Sequence, residues 1–536
     1  MIPSNIHPYT DHMGITMAEA VLFEGLVDVV KPVRPDAGAG EARVLRPERR
    51  QIVIRAVHLD GFLPVGHQAR LVWDWVLAQD LSELYAAIKA RGSAPGRAAI
   101  DPALLLSLWL FAHLDAVGSA REIERLCQRD LAYMWLCGDV GVNYHALSDF
   151  RAQQGELVDR LLTQSITGLA AAGLVQLETL AVDGVRVRAH AGQASFRRRP
   201  RIEEFEQQAA ERVALLKQGA VPDVGTDIEP DKTQPEDSAG SDAGGPDAGG
   251  HGSGGHGSGG HDSGGPGAAR DKRQQAAAVR AAKQRVSAIA KAKKILLERE
   301  AQREKRMKSN RKATAKQGEV RVSTTDPESR VMKMADGGFR PAYNVQVTTD
   351  PLSGMIVATG LDCTGSDKGL LGKAIKAATQ RYGKPPKTVL ADGGFYATDD
   401  IEWAHNHPKQ DGDKQEADAQ SKSRPASTAS GPAEANVITL YVPLTVSKHG
   451  SDPHAARNDD GPGVAALRQR MASDEAKALF KKRSQAELPH ARLRKTGLTQ
   501  FTLRSAAKAL IQATWHALAS NLIIVFGIMK RQATTA

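Results

Sequence analysis

The chain has 536 residues, 41% of them hydrophobic, which is enough to bury a large core and excludes a wholly disordered protein. Lys and Arg number 71 against 61 Asp and Glu, and the net charge of +10 favours a polyanionic partner without excluding an acidic substrate or a membrane surface. Three cysteines exclude a disulfide framework and, with an N-terminus that lacks a secretory leader pattern, predict a reducing cytoplasmic compartment.

The N-terminal part of the chain divides into an extension, residues 1–65, and a compact all-helical domain, residues 66–175. Asp101 followed by Pro102 is typical of a helix N-cap and first turn, and apolar residues recur at helical spacing on both sides of it. Arg121 and Arg125 are four positions apart, so one helix face presents both, either to DNA or simply to solvent.

A different pattern begins at residue 176. The run Leu177–Asp183 is short and apolar and is followed by Gly184, which predicts a central strand with Asp183 at its terminus. Residues 176–200 are therefore expected to begin an α/β domain that resumes at residue 321 and continues to residue 530.

Residues 201–320 read as an insertion in that domain. Its segment 218–267 is dominated by Gly, Asp, Ser and Pro and contains a His-Gly-Ser-Gly-Gly repeat, which predicts a flexible linker. The next segment, 268–316, predicts a long helix with basic residues around most of its surface, because 17 Lys and Arg stand against 4 acids between Arg270 and Lys316. This helix either contacts DNA phosphates or is solvated and neutralised by the acidic run before it.

The sequence of the remaining part of the α/β domain predicts a β-hairpin and two further strands. Residues 343–349 alternate in polarity, a turn that contains Asp350 follows, and the apolar run 355–359 returns as the second strand. A predicted helix over 368–382 precedes a predicted strand over 387–391, and Asp392 directly follows that strand. Because two strands that each finish on an aspartate can meet at one sheet edge, Asp183 and Asp392 are expected to lie together. A last strand over 437–446 is flanked by loops expected to be disordered, 408–436 and 447–463.

The C-terminal region supplies a third acid. Phe480, Arg483 and Glu487 are spaced three and four apart, so one helix face is expected to present all three just before Pro489. Asp183, Asp392 and Glu487 could hold two divalent cations for phosphoryl transfer on nucleic acid. Hard carboxylate oxygens suit Mg²⁺ or Mn²⁺, and no His/Cys cluster indicates zinc.

The most apolar stretch of the chain, 506–528, is expected to be a buried helix. Its polar residues Lys508, Gln512, His516 and Asn521 disfavour a membrane span.

Three segments resemble the bacterial insertion-sequence transposases of the DDE class. Residues 180–189 are similar to the strand of the first aspartate, 389–396 to that of the second, and 483–487 to the helix of the glutamate. The family signature Tyr-x-x-Arg-x-x-x-Glu-x-x-x-x-x-x-Lys is matched with two departures. Phe480 replaces the tyrosine, and Arg494 replaces the lysine, which Lys495 might instead supply.

The resemblance implies an α/β fold: an RNase H-like mixed sheet flanked by helices, with an all-helical N-terminal DNA-binding domain and a disordered and helical insertion. It implies catalysis by Asp183, Asp392 and Glu487 with two Mg²⁺ or Mn²⁺ ions, and DNA contacts from four residues: Phe480, Arg483, Arg494 and Lys495. The implied partners are double-stranded DNA with terminal inverted repeats, target DNA and a second copy of the chain in a nucleoid-associated homodimer, with no membrane. Two alternatives stay open, an inactive DNA-binding relic and an RNase H-like nuclease that cuts without joining.

Overall fold

The computed structural model describes residues 58–91, 98–217, 266–309, 319–406, 438–444 and 452–535. All of them belong to one compact unit, Val57–Ala536. Most of the expected extension 1–65, the linker 218–265 and the loop 407–437 lie outside the described residues.

The N-terminal region is helical, as the sequence predicts. Asp101 caps the central helix of this region, since its carboxylate accepts a hydrogen bond from the Ala103 amide at 2.9 Å, and Pro102 follows in the first turn. Every side chain from Pro102 to His113 is buried, so this helix forms the middle of the bundle. The helices are α1 Gln68–Leu77, α2 Ser82–Ala86, α3 Pro102–Leu114, α4 Ala120–Leu126, α5 Leu131–Cys137, α6 Tyr144–Gln153 and α7 Gly155–Ala171.

The second region is built on a mixed β-sheet, which confirms the α/β class. The strands are β1 Thr179–Arg188, β2 Phe196–Arg197, β3 Val322–Ser323, β4 Arg330–Lys333, β5 Phe339–Thr349, β6 Ile356–Asp362, β7 Thr388–Ala391 and β8 Thr439–Tyr441. The main sheet has the order β4-β5-β1-β7-β8, and β6 pairs with the same edge of β5 as β4 does. Strand β5 runs antiparallel to β1, and β6 runs antiparallel to β5. Strand β7 is parallel to β1, and β8 is parallel to β7. This arrangement agrees with the expected RNase H-like sheet.

The predicted hairpin is confirmed as β5 and β6. Asp350 lies in the turn between them, where its carboxylate accepts hydrogen bonds from the amides of Leu352 and Ser353, both at 3.2 Å. This satisfies the turn backbone and assigns Asp350 a structural role.

The prediction that Asp183 ends its strand is wrong. Asp183 is the fifth residue of the ten in β1, because β5 is long enough to pair with β1 as far as Arg188. On the other side of β1, the parallel partner β7 is short and ends at Ala391.

The remaining helices are α8 Arg199–Lys217, α9 Pro266–Ser309, α10 Leu371–Tyr382, α11 Thr398–His405, α12 Pro462–Ala472, α13 Asp474–Lys481, α14 Leu488–Lys495 and α15 Ala506–Thr535. The loop expected to be disordered over 447–463 is described from residue 452 onwards. Asp460 and Arg468 form a buried ion pair there at 2.5 Å, and this pair fixes the segment before α12.

Helix α15 is a core helix shared by the two regions. Trp515 and Leu518 pack in the core of the N-terminal bundle, whereas Ala513 and Ala517 pack in the core under the sheet. The helix is long and apolar enough to cross a membrane, but 72% of its apolar window is buried inside the protein. Asn521 binds the backbone of β6 through both atoms of its amide, donating to the Ile356 carbonyl at 2.8 Å and accepting from the Ile356 amide at 2.9 Å.

Helices α8 and α9 of the insertion pack against each other. Phe205 of α8 and Ile289 and Leu296 of α9 are buried between them. Lys293 also forms an ion pair with Glu206 of α8 at 2.6 Å. One side of α9 is therefore covered by α8, and the basic residues expected around most of its surface lie on the remaining sides.

Candidate active site

The strand register brings Asp183 and Asp392 together. Val182 pairs with Ala391 across the parallel strands β1 and β7, and each of these residues is followed directly by one of the two aspartates. Asp392 follows the end of β7 and caps a short 3-10 helix, Gly393–Phe395, by accepting a hydrogen bond from the Gly394 amide at 2.9 Å. The pairing of β1 with β7 thus places the two aspartates next to each other, as expected from the sequence.

One arginine lies between the two carboxylates. Arg483 Nη2 is 3.4 Å from Asp183 Oδ2 and 3.8 Å from Asp392 Oδ2. The Asp183 side chain is 12% exposed and that of Asp392 is 39% exposed, so the pair extends from the protein interior to the surface. A single positive charge therefore reaches both carboxylates at the rim of the sheet.

Burial is the main influence on Asp183. Loss of water around its carboxylate raises the pKa of Asp183 to about 6, although the Arg483 guanidinium and the Gly184 amide act in the opposite direction. The Asp392 charge raises the pKa further. An arginine at this distance therefore does not offset the effect of burial on the Asp183 pKa.

His490 is a site residue that the sequence analysis missed. Its Nδ1 lies 3.8 Å from Asp183 Oδ2, and its Nε2 is buried without a hydrogen-bond partner among the described residues. Burial and the positive charges of Arg494 and Arg483 lower the pKa of His490 to about 4, so the imidazole is neutral. No periodic pattern in the sequence points to His490, because the backbone changes helix type between Arg483 and this position.

A polar cluster lies on the neighbouring strand. Asp367 accepts hydrogen bonds from the side-chain amides of Asn344 at 2.7 Å and Gln346 at 2.9 Å, both on β5. A Cβ at Gly184 would overlap the Asp367 carboxylate, so a larger residue at this position would displace the cluster. After burial and the Asp392 charge, Asp367 also raises the pKa of Asp183.

The single helix face expected for Phe480, Arg483 and Glu487 is not present. Helix α13 ends at Lys481, a 3-10 helix covers Lys482–Glu487, and α14 begins at Leu488 with Pro489 in its first turn. A proline has no amide hydrogen and its ring clashes with the carbonyl four residues earlier, so an α-helix cannot continue through this position without a kink or break. Glu487 is exposed, and among the described residues it does not gather with Asp183 and Asp392 into a group that could hold a metal ion.

The donor set fits divalent cations in part. Asp183 and Asp392 offer hard carboxylate oxygens around one shared point, which suits Mg²⁺ or Mn²⁺. The Arg483 guanidinium lies close to both carboxylates, so positive charge is already favoured there. No group of three or more His, Cys, Asp or Glu that could hold a metal occurs among the described residues, so a third carboxylate has to join the pair.

The other residues expected to bind DNA are at two separate places. Arg494 and Lys495 are exposed in the last turn of α14, and Phe480 is half-buried near the end of α13. Arg121 and Arg125 are exposed on α4, where Arg125 pairs with Glu122 and the Arg121 guanidinium lies 4.9 Å from the centre of the Tyr144 ring. Among the described residues predicted to bind DNA, Arg483 is the one that forms ion pairs with Asp183 and Asp392.

Two family models match the chain. The model described as a transposase domain (DUF772) matches residues 57–153, within the helical bundle. The model described as a transposase DDE domain matches residues 317–522, which include Asp392, Arg483 and Glu487. Together they cover more than half of the chain, and Asp183 lies between the two matched ranges. No curated protein and no solved structure matches the chain.

Proposed function

The chain belongs to the insertion-sequence transposases of the DDE class, and we propose that it cuts DNA at the ends of its element and joins the freed ends to target DNA. Asp183, Asp392 and Glu487 are the proposed metal-binding carboxylates. The observation that supports this most strongly is the juxtaposition of Asp183 and Asp392, which are far apart in sequence and adjacent across β1 and β7.

The proposed reaction has two balanced steps. In cleavage, a water oxygen bonds to phosphorus and the bond to the 3′ oxygen breaks; the 3′ oxygen takes up a proton, which leaves a free 3′-hydroxyl on the element strand and a 5′-phosphate on the flanking strand. In joining, the oxygen of this hydroxyl bonds to the phosphorus of a target phosphodiester as the bond to the target's 3′ oxygen breaks. The proton lost by the attacking hydroxyl is replaced by one taken up by the leaving 3′ oxygen, so no net proton is released. Two Mg²⁺ or Mn²⁺ ions would supply the positive charge that activates the attacking oxygen and stabilises the leaving one.

The protein's own groups prepare the site for this chemistry. Burial keeps Asp183 out of water, which strengthens its attraction for any cation that shares it with Asp392. Arg483 limits repulsion between the two carboxylates while no cation is bound. Arg494 and Lys495, exposed one helix beyond the aspartates, are suited to hold the DNA phosphates that flank the reacting bond.

Glu487 reaches the aspartate pair only if its segment moves, since the described residues hold no metal-binding group of three acids. The 3-10 helix Lys482–Glu487 is a short, poorly hydrogen-bonded segment between two α-helices, and such segments often act as hinges. We infer that DNA and metal binding draw this segment towards the aspartates and complete the carboxylate triad. The same movement would take Arg483 away from the point that the cations occupy.

The proposed partners are double-stranded DNA with terminal inverted repeats, target DNA and a second copy of the chain. Two element ends have to be held together during joining, which is the reason for proposing a homodimer. The exposed cations of α9 and of α4 are proposed additional DNA contacts. DNA cleavage and joining would take place on the nucleoid in the cytoplasm.

The test is cleavage and joining of a labelled duplex that carries the element's own ends, in Mg²⁺, in Mn²⁺ and in EDTA. Metal-dependent nicks together with joined products support the transposase. Nicks without joined products support a nuclease of the same fold. DNA binding without either product, in both metals, supports the inactive relic, for which the departure at Phe480 from the family's tyrosine is the one specific observation.

A further inference from the structure

A cavity of about 430 Å³ lies where the insertion meets the edge of the sheet. Its wall is formed by α9, by the residues before β3 and by β4. Five arginines line it: Arg299, Arg303, Arg306, Arg321 and Arg330. Glu319 is the one acid among the described lining residues, and its carboxylate pairs with Arg198 at 2.8 Å. The cavity is therefore strongly positive, and like charges gathered around an open space favour an anion in it.

Two arginines of the cavity wall, Arg299 and Arg330, differ in their hydrogen bonding. Arg299 donates hydrogen bonds to the carbonyls of Pro327, Glu328 and Ser329 at 2.9 to 3.2 Å, so it holds the wall in place. Arg330 of β4 has a buried Nε without a hydrogen-bond partner among the described residues. A buried guanidinium donor left unpaired is costly, and a phosphate oxygen is the acceptor that best matches it.

The arginines of α9 form a line rather than a single point. Arg299, Arg303 and Arg306 are spaced four and three apart, so they project from one side of the helix on successive turns. This stretch covers about 10 Å of helix axis. One strand of a DNA duplex advances 3.4 Å per phosphate along its axis, so the line matches roughly three consecutive phosphates. A single free phosphate would need only one or two of these guanidinium groups.

The sheet register fixes the distance from the cavity to the aspartates. Arg330 pairs with Ala342 of β5, which pairs with Arg188 of β1. Arg330 therefore lies two strands away from β1 and level with a residue five positions beyond Asp183. Strands about 4.8 Å apart and a rise of about 3.3 Å per residue give roughly 20 Å between Arg330 and Asp183. In duplex DNA this separation corresponds to about six base pairs.

We propose that the five-arginine cavity binds the phosphodiester backbone of duplex DNA about six base pairs from the bond cleaved at Asp183 and Asp392. The distance rests on the proposed function, whereas the binding of a phosphodiester backbone rests only on the cavity. The insertion then acts as an arm that fixes the duplex relative to the catalytic sheet.

The first test is the salt dependence of duplex binding. The side chains of Arg306 and Arg321 are exposed, so Arg306→Gln/Arg321→Gln should fold normally. We expect affinity at physiological salt to fall at least about tenfold and the slope of log affinity against log salt to decrease by about 1.8, or 0.9 per lost phosphate contact. Arg306→Lys/Arg321→Lys keeps the charges and should retain most of the slope.

The matched control removes two exposed cations from the other helix of the insertion. Arg212→Gln/Lys217→Gln in α8 should leave the slope close to that of the wild type. An unchanged slope in the Arg306/Arg321 variant, with thermal melting like that of the wild type, would overturn the proposal. Binding needs neither metal nor cleavage, so this result is independent of whether the protein proves to be a transposase.

Two further measurements separate DNA from a small anion and test the distance. Inorganic phosphate at constant ionic strength should not stabilise the wild type more than it stabilises the Gln variant. Phosphate stabilisation lost in the variant, with its DNA affinity intact, would show a free-anion site and overturn the proposal. Neutral methylphosphonates about six base pairs from the cleaved bond should weaken binding by the wild type and not by the variant. Sensitivity only at other positions would contradict the distance.

Discussion

Asp183 and Asp392 lie side by side at a parallel strand pair, because Val182 and Ala391 are partners and each is followed directly by one of the aspartates. Arg483 contacts both from a segment that belongs to neither strand. The site thus combines three parts of the chain that come together only when the sheet has formed.

Replacing either aspartate by asparagine should abolish metal-dependent cleavage. Asp183→Asn and Asp392→Asn keep the side-chain shape and remove the charge that holds a cation, so we expect a loss of at least about 1,000-fold, as for members of other concerted catalytic sets. Duplex affinity should stay within about twofold of the wild type. The control is Asp399→Asn, an exposed acid at the start of α11. Binding that falls in parallel with cleavage would show that the aspartates act in DNA recognition or folding instead.

Removing the positive charge of Arg483 should move cleavage to higher pH. Burial raises the pKa of Asp183 and Arg483 opposes that rise. In Arg483→Gln the Asp183 carboxyl therefore holds its proton to a higher pH, and the acid limb of the rate profile should shift upward. Arg483→Lys keeps a charge and should shift less. A loss of rate that is equal at every pH would indicate that Arg483 contacts DNA and leaves the ionisation of Asp183 unchanged.

Glu487 should be essential although it is exposed and apart from the aspartates in the described structure. If the segment Lys482–Glu487 moves on binding, Glu487→Gln should reduce cleavage about as much as Asp392→Asn does. Glu475→Gln provides a matched control, since Glu475 is exposed in the first turn of α13. Wild-type cleavage by Glu487→Gln would remove this residue from the triad. Asp367, which already lies beside Gly184, would then be the acid to test next.

Two buried imidazoles should make the fold sensitive to acid. Burial lowers the pKa of His113 to about 3, and burial together with His113 and Arg151 lowers that of His516 well below its usual value. His113 Nδ1 lies 2.6 Å from the Trp109 carbonyl, and the two imidazole rings are 4.3 Å apart. Both histidines bind protons more readily when unfolded, so their contribution to stability is complete above pH 6.5 and is lost as pH falls below it.

The measurement is the free energy of unfolding between pH 6.5 and 5. Each buried imidazole should contribute a slope approaching about 1.4 kcal/mol per pH unit. His516→Gln should make the dependence shallower, at some cost in stability at neutral pH. The exposed His145→Gln is the control and should leave the slope unchanged. The same slope in His516→Gln as in the wild type would contradict this assignment.

The sequence predicts the parts of the fold that rest on local chemistry. The Asp101 cap, the hairpin around Asp350 and the polar residues that mark α15 as a core helix are all confirmed. Each depends on residues that are close in sequence or on a regular apolar period. The juxtaposition of Asp183 and Asp392 was also accessible, because two apolar runs that each reach an Asp-Gly pair suggest one sheet edge.

What the sequence misses depends on pairing between distant segments. The length of β1 beyond Asp183 is set by β5, which is more than 150 residues away, so no local pattern marks the aspartate as mid-strand. Pro489 predicts that the helix is interrupted near this position. The resulting positions of Arg483, Glu487 and His490 depend on how α13 and α14 pack, which no local pattern gives. The arginine cavity is lined by both α9 and β4, and only the folded arrangement gathers its charges.

The most direct test of the central claim is a change of metal preference at the aspartate pair. In Asp392→Cys a thiolate replaces a hard oxygen ligand, and thiolates favour softer metals than Mg²⁺. We expect this variant to be inactive in Mg²⁺ and to recover cleavage of the labelled duplex in Mn²⁺, whereas Asp392→Ala recovers in neither. Full cleavage by Asp392→Cys in Mg²⁺, or equal activity of the Cys and Ala variants in Mn²⁺, would contradict a metal-binding role for Asp392.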